Sequence, residues 1–213
     1  MIDSYRHKGM RKKMVQELQT KGIVDPNVLL ALEDVPRHWF LDNVFLEIAY
    51  QNQAFQIGCG QTISHPYTVA FQSQILNIKK GQKVLEIGTG CGYQTSILAK
   101  LGAKIYSIER HRPLYIKTKK LLKDLRVRAT TFYGDGYIGQ AAFAPFDKII
   151  VTAAAPYIPD ALIDQLVPGG LMIIPVGEGN SQMMTLVTKN LDGSVTKEDK
   201  GAAAFVPMLQ NKE

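Results

Sequence analysis

One segment limits the folds open to this chain more than any other: "KVLEIGTGCGYQTSILAKLG", residues 83–102. A short apolar run leads into Gly88, Gly90 and Gly92, and then into a helical pattern closed by Gly102. Strand, glycine turn and helix in that order open a parallel α/β unit. The alternation continues. "AKIYSIE" reads as a strand, "PLYIKTKKLLKDL" as a helix from Pro113, "VRATTFYG" and "FDKIIVTAAA" as strands, "PDALIDQLV" as a helix and "GLMIIPVG" as a strand. The pattern predicts an α/β, Rossmann-like, doubly wound and mostly parallel sheet. The tail breaks it. "QMMTLVTK", a turn at "NLDG" and short segments ending in "AAFVPML" predict antiparallel C-terminal edge strands.

Upstream, Met10, Met14, Val15 and Leu18 fall at helical spacing within residues 4–20. "DPNVLLALEDVP" predicts a second helix, with Asp25 as cap and Pro26 at its first position. Residues 37–64 read as irregular, and a third helix is expected over about 65–77, with Tyr67, Phe71 and Ile75 on one face. The expected organisation is an N-terminal helical cap with an active-site loop, residues 1–76, on a cofactor-binding domain, residues 77–213. No apolar run is long enough to span a membrane. The N-terminal stretch lacks a signal peptide's apolar core. Cys59 and Cys91 have neither metal nor redox spacing, so a soluble cytoplasmic protein with reduced thiols and no metal is expected. The net charge is +6, with basic residues gathered in "RHKGMRKKM" and "KTKKLLKDLRVR". Such stretches suit nucleic acid or solvated helix faces, and the second reading is favoured for helices outside an α/β sheet.

The spacing Gly88-x-Gly90-x-Gly92 departs from the dinucleotide pattern, whose third glycine falls one place later. Its surroundings give it meaning. Glu109 ends the next strand, where a carboxylate can accept both hydroxyl protons of a ribose. Asp135 ends the strand after that, beside Gly134 and Gly136, which leave room for a base. Glu86 is a charge within an apolar strand, costly to bury unless it is paired. The pattern resembles the class I S-adenosylmethionine methyltransferases. That resemblance implies S-adenosyl-L-methionine as cofactor, with S-adenosyl-L-homocysteine as its product, bound by Gly88, Thr89, Gly90, Gly92, Glu109, Asp135 and Gly136.

The acceptor atom is the next question. After the fourth parallel strand the chain reads "VTAAAPYIP", which offers no Asn/Asp-Pro-Pro-aromatic grip for an amine and no cysteine to attack a pyrimidine. A carboxylate needs less. Its pKa of roughly 3.5–4.3 makes it a nucleophile at neutral pH, so no general base has to be tuned. The site has only to hold it in line at about 3–3.5 Å without over-stabilising its charge. Hydroxyls and free helix-start amides suit that task, and "GCGQTISHPY", residues 58–67, supplies them through Thr62, Ser64 and the helix that follows. Two readings of Ser64 stand: it holds the acceptor, or it caps the helix beginning at His65-Pro66. His65 likewise either meets the cofactor's carboxylate or serves structure.

These residues resemble one family. "GQTISHPYTVA", "VLEIGTGCGYQTSILA", "YSIER", "GDGYIG", "FDKIIVTAAAPYIPDALIDQL", "PGGLMIIPVG" and "FVPM" follow, in order, the blocks of the protein-L-isoaspartate O-methyltransferases over roughly residues 50–208. The resemblance implies methyl transfer from S-adenosyl-L-methionine to the free α-carboxylate of L-isoaspartyl residues in damaged proteins and peptides. Repair then proceeds through a succinimide. It implies Ser64 as the catalytic and substrate-binding residue, with Thr62, Ile63 and His65 lining the cofactor side and Val206 closing over the peptide. A monomer acting on isoaspartyl peptides, without nucleic-acid or membrane partners, is the expected form. The rival is a nucleic-acid or other class I methyltransferase. One departure is visible: Gln51-Asn52-Gln53 replaces the acidic residue usual after the Tyr50 region.

Overall fold

The structure is a computed structural model and describes residues 2–179 and 181–213. Helices α1 (Tyr5–Thr20) and α2 (Pro26–Asp34) open the chain. The side chains of Ser4 and Asp25 accept from first-turn amides, and Pro26 stands where its missing N–H costs nothing. Two 3-10 turns, Arg37–Phe40 and Asn43–Phe45, lead into an antiparallel hairpin of β1 (Phe55–Gly58) and β2 (Gln61–Ile63). The stretch read as irregular therefore contains strands, of four and three residues. Pieces so short carry too little alternation to register as a pattern. Helix α3 (Pro66–Leu76) follows.

The remaining strands are β3 (Lys83–Ile87), β4 (Lys104–Glu109), β5 (Ala129–Tyr133), β6 (Phe146–Val151), β7 (Leu166–Glu178), β8 (Ser181–Lys189) and β9 (Val195–Ala203). They are joined through α4 (Tyr93–Lys100), α5 (Arg112–Asp124) and α6 (Asp160–Asp164). The sheet order is β5-β4-β3-β6-β7-β8-β9, parallel as far as β7 and antiparallel beyond it. This is the doubly wound, mostly parallel sheet with antiparallel edge strands. Two details differ from the pattern reading. Helix α6 spans five residues, because Leu166 already pairs with Phe146 at the start of β7. The last segment forms one nine-residue strand, β9, instead of several short ones.

Strand β3 shows why the fold holds together. Val84 packs on one face with Leu76, Leu98 and Ile105, while Leu85 and Ile87 pack on the other with Ile149, Leu162, Met172 and Ile174. A strand buried on both faces reads as an unbroken apolar run, and "VLEI" does so except for Glu86. The N-terminal helices share a core with the sheet's helices: Met14, Leu18, Val28 and Leu32 cluster with Tyr93, Ile97 and Leu114. Because the sheet winds outward in both directions from β3, its topological switch lies there, and a ligand crevice is expected at the strands' C-terminal ends.

Candidate active site

A pocket opens where that rule places it. Its walls come from the β1–β2 hairpin and the loop after it, from the loop after β3, from the ends of β4 and β6, and from the C-terminal tail. The glycine loop follows from its backbone. Gly88, Gly90 and Gly92 all have positive φ, and a Cβ on Gly88 would meet Thr152 Oγ1 at 2.5 Å. Thr152 in turn donates to the carbonyls of Ile87 and Gly88 at 3.0 and 2.9 Å, tying the ends of β3 and β6 together. The Glu109 carboxylate is buried and accepts from the Gly90 N–H and the His111 N–H, both at 2.8 Å. It thus shapes the glycine loop and remains on the pocket wall.

Of the residues singled out in the sequence, Thr62, Ile63, Ser64, Gly88, Thr89, Gly90, Glu109, Gly136 and Val206 line this one pocket. His65, Gly92 and Asp135 lie outside its lining. Each has other work. His65 is the N-cap residue of α3. A Cβ on Gly92 would stand 2.9 Å from Thr118 Cγ2 and 3.0 Å from Leu122 Cδ2, so this glycine lets α5 approach the start of α4. The Asp135 carboxylate accepts from the Tyr137 N–H at 2.8 Å and the Asn211 N–H at 2.7 Å, closing its own turn and holding the tail.

The capping reading of Ser64 is not what the structure shows. The N-cap side chain of α3, His65, makes no capping bond; instead Asn52 Oδ1 accepts from the Tyr67 N–H at 2.9 Å, from outside the helix. Ser64 Oγ makes no hydrogen bond among the described residues, and the residue is half-buried on the pocket wall. Sequence reasoning missed Ile57 and Gln61, which the hidden hairpin brings in, as well as Arg110 and His111 beyond Glu109. Val206 reaches the pocket because the tail docks on the "TAAA" segment: the Ala154 N–H donates to the Val206 carbonyl at 2.8 Å, and the Met208 N–H to the Ala154 carbonyl at 2.7 Å. Cys91 is half-buried on the wall, and desolvation pushes its thiol up to about 11, so it is a protonated, unreactive surface.

Beneath the loop lies Glu86, fully buried. Its Oε2 accepts from Thr95 Oγ1 and Ser107 Oγ, both at 2.6 Å, while Oε1 has no partner among the described residues. Desolvation pushes this carboxyl up to about 7, against the two hydroxyls that lower it. Gln94, on the pocket wall, has an unpartnered buried Oε1 as well. The unpartnered Gln94 Oε1 and the spare lone pairs of the Glu109 carboxylate, both belonging to pocket-lining residues, fit a donor carrying an ammonium and a ribose. Gly136 lines the pocket as well, and a Cβ there would stand 2.4 Å from Ile87 Cγ2 and 3.0 Å from Met208 Cε, so its missing side chain lets the end of β3 and the tail close in on it. Among the described residues, Asp3, His7 and His38 form the one group with metal-ligand spacing; it lies on the N-terminal segments, and Arg11 pairs with both oxygens of Asp3.

A family model for protein-L-isoaspartate(D-aspartate) O-methyltransferase matches residues 9–213. A protein-L-isoaspartate O-methyltransferase of Flavobacterium psychrophilum is 53% identical over 213 residues, covering 100% of both chains. One of Cytophaga hutchinsonii is 51% identical over 98% of this chain and 95% of its own. A crystal structure from Plasmodium falciparum, provisionally assigned to the same activity and complexed with S-adenosyl-L-homocysteine, shares the fold. Its TM-score is 0.83 at 24% identity, over 94% of this chain and 99% of that one.

Proposed function

The chain belongs to the protein-L-isoaspartate(D-aspartate) O-methyltransferase family, and on that premise we propose that its pocket holds S-adenosyl-L-methionine along the glycine loop and presents an isoaspartyl carboxylate at Ser64. The activity is transfer of a methyl group to the free α-carboxylate of L-isoaspartyl residues in damaged proteins and peptides. The ester has a better leaving group than the acid, so the neighbouring backbone nitrogen closes a succinimide, which water reopens in part to normal aspartate. The rest of the proposal concerns the chain's own groups. Residues 77–213 carry the cradle, and residues 1–76 cap it and supply the acceptor loop, a division of roles within one packed body.

Bound in the cradle, S-adenosyl-L-methionine supplies an electrophilic methyl on a sulfonium. Glu109 accepts from the ribose hydroxyls with the lone pairs left over from Gly90 and His111. Gly136 lines the adenine side, and Thr89 and Gly90 let backbone approach the sulfur-bearing chain. Thr62, Ile63 and Val206 close the acceptor end against water. Ser64 donates one hydrogen bond to the acceptor carboxylate and aims it. That bond is weak enough to release charge density as the new C–O bond forms, and no proton has to be removed.

The carrying observation is that Ser64 lines the pocket with its hydroxyl unbonded among the described residues, while the Tyr67 N–H at the helix start donates to Asn52. Ser64→Ala should lower kcat on an isoaspartyl peptide by roughly 10- to 100-fold, the cost of about 1.4–2.7 kcal/mol of orientation. The dissociation constant of S-adenosyl-L-homocysteine and the melting temperature should hold. An equal fall in melting temperature and turnover would return Ser64 to a structural role. With radiolabelled donor, the peptide should gain a base-labile methyl; labelling of RNA or of an amine instead would remove the carboxylate reading. The reading includes a monomer acting in the cytoplasm on exposed chain segments, without nucleic-acid or membrane partners.

A further inference from the structure

Arg37 is the largest fully buried side chain. Its Nε donates to the Ala49 carbonyl at 3.0 Å and its Nη2 to the Gln53 carbonyl at 3.2 Å, but Nη1 has no partner among the described residues. No carboxylate pairs with it there. Burial accordingly works against its charge and lowers its proton affinity. A buried charge without a counter-ion is expensive, so its presence calls for an anion. The guanidinium lies over the Tyr93 ring, 5.0 Å from its centroid, and Cys91 and Tyr50 share its surroundings. Tyr93 and Cys91 are walls of the active-site pocket, and the Tyr93 hydroxyl is likewise buried without a partner. The field of Arg37 also reaches His65, the residue after Ser64, where it adds to desolvation in favouring the neutral ring.

We propose that Arg37 is a specificity-determining residue: its charge, one side chain behind the pocket wall, selects an acceptor carrying a free carboxylate. The inference rests on the isoaspartyl reading of the pocket. It also resolves a tension in that reading. A cation in contact with the nucleophile would hold its charge too tightly and slow transfer. Set behind Tyr93 and Cys91, and outside the pocket lining, Arg37 attracts an anion through weakly screened surroundings without donating a hydrogen bond to it. Discrimination thus resides in Arg37 and aiming in Ser64.

The test compares two ligands that differ only in that charge: an isoaspartyl peptide, and the same peptide with its free α-carboxylate replaced by a carboxamide. Dissociation constants are measured calorimetrically with S-adenosyl-L-homocysteine present, so that no turnover is needed. Wild type should prefer the carboxylate by roughly tenfold, the size expected of one charge acting across a side-chain layer. Arg37→Lys should keep most of that preference, whereas Arg37→Gln should bring it close to one. Arg37→Met is the companion variant: an apolar residue of similar length, it removes the charge together with the donors to the Ala49 and Gln53 carbonyls; either neutral variant that folds suffices. Since the readout is a ratio within each variant, a general loosening of the 49–53 loop cancels. A preference that survives in a folded neutral variant, or that is lost equally in Arg37→Lys, overturns the proposal. So does a neutral variant whose only loss is in affinity for S-adenosyl-L-homocysteine. Failure of the underlying reading looks different: wild type would then leave the isoaspartyl peptide unmethylated.

Discussion

Glu86 carries the clearest residue-scale consequence. A glutamate with an ordinary value of 4.5 is pushed up to about 7 by burial beneath the glycine loop, with the charge of Glu109 adding to the rise. Between those two values the folded chain holds a proton that the unfolded chain has released. Stability therefore falls as pH rises from about 4.5 to about 7 and levels off above, a change of about 3 kcal/mol from this group. Glu86→Gln should abolish that slope in urea melts taken across the range, and should make the protein more stable than wild type at pH 8. A variant with the wild-type slope would show that the carboxyl is ionised throughout. The sequence exposed the anomaly, a charge in "VLEI", but not its resolution, because Thr95 and Ser107 come to it from a helix and from another strand. The same limit separates Glu109 from Asp135. Glu109 ends β4 and Asp135 follows the end of β5 between two glycines, yet only Glu109 lines the pocket, since the Asp135 carboxylate is taken up by amides of Tyr137 and of the distant Asn211.

Among the elements, the loop and helix after β3 were legible because glycines and an apolar run are local signals. The β1–β2 hairpin was hidden, and with it Ile57 and Gln61. The cap of α3 was hidden too, as Asn52 lies 15 residues before the amide it satisfies. Gly92 shows how a motif can be seen and its role missed. Its spacing suggested a contact with the donor, whereas its absent Cβ makes room for Thr118 and Leu122 of α5, and its φ of 87° suits glycine alone. Thr118 Oγ1 also donates to the Gly90 carbonyl at 2.5 Å, so the packing of α5 on α4 and the shape of the loop are linked. Gly92→Ala should destabilise the fold by about 2–4 kcal/mol through left-handed strain and overpacking together. Affinity for S-adenosyl-L-homocysteine should weaken only as the loop shifts. A melting temperature equal to wild type would show that α5 can retreat at no cost.

Across the whole molecule, the tail makes the pocket more than a groove at the end of a sheet. Residues 206–209 form one wall, and the chain then crosses the ends of β4 and β5. The Arg112 N–H and the Tyr133 hydroxyl donate to the Glu213 carbonyl, each at 2.9 Å, and the Glu213 N–H donates to the Arg110 carbonyl at 3.0 Å. Arg110 Nη1 and His111 Nδ1 both meet the Glu213 carboxylate at 2.9 Å, from the two residues that follow Glu109. The Glu213 side chain is 66% exposed, so these ion pairs contribute little singly and weaken with salt. The backbone bonds act together, and they bind the tail to the residues that follow Glu109, the pocket-lining end of β4. A chain ending at Leu209 should keep its fold, because residues 210–213 are exposed. It should nevertheless release S-adenosyl-L-homocysteine roughly tenfold faster, a change worth about 1.4 kcal/mol in barrier. Stopped-flow displacement measures this directly: an unchanged release rate would mean that product leaves by a route the tail does not cover, whereas faster release with unaltered kcat would place another step in control of turnover.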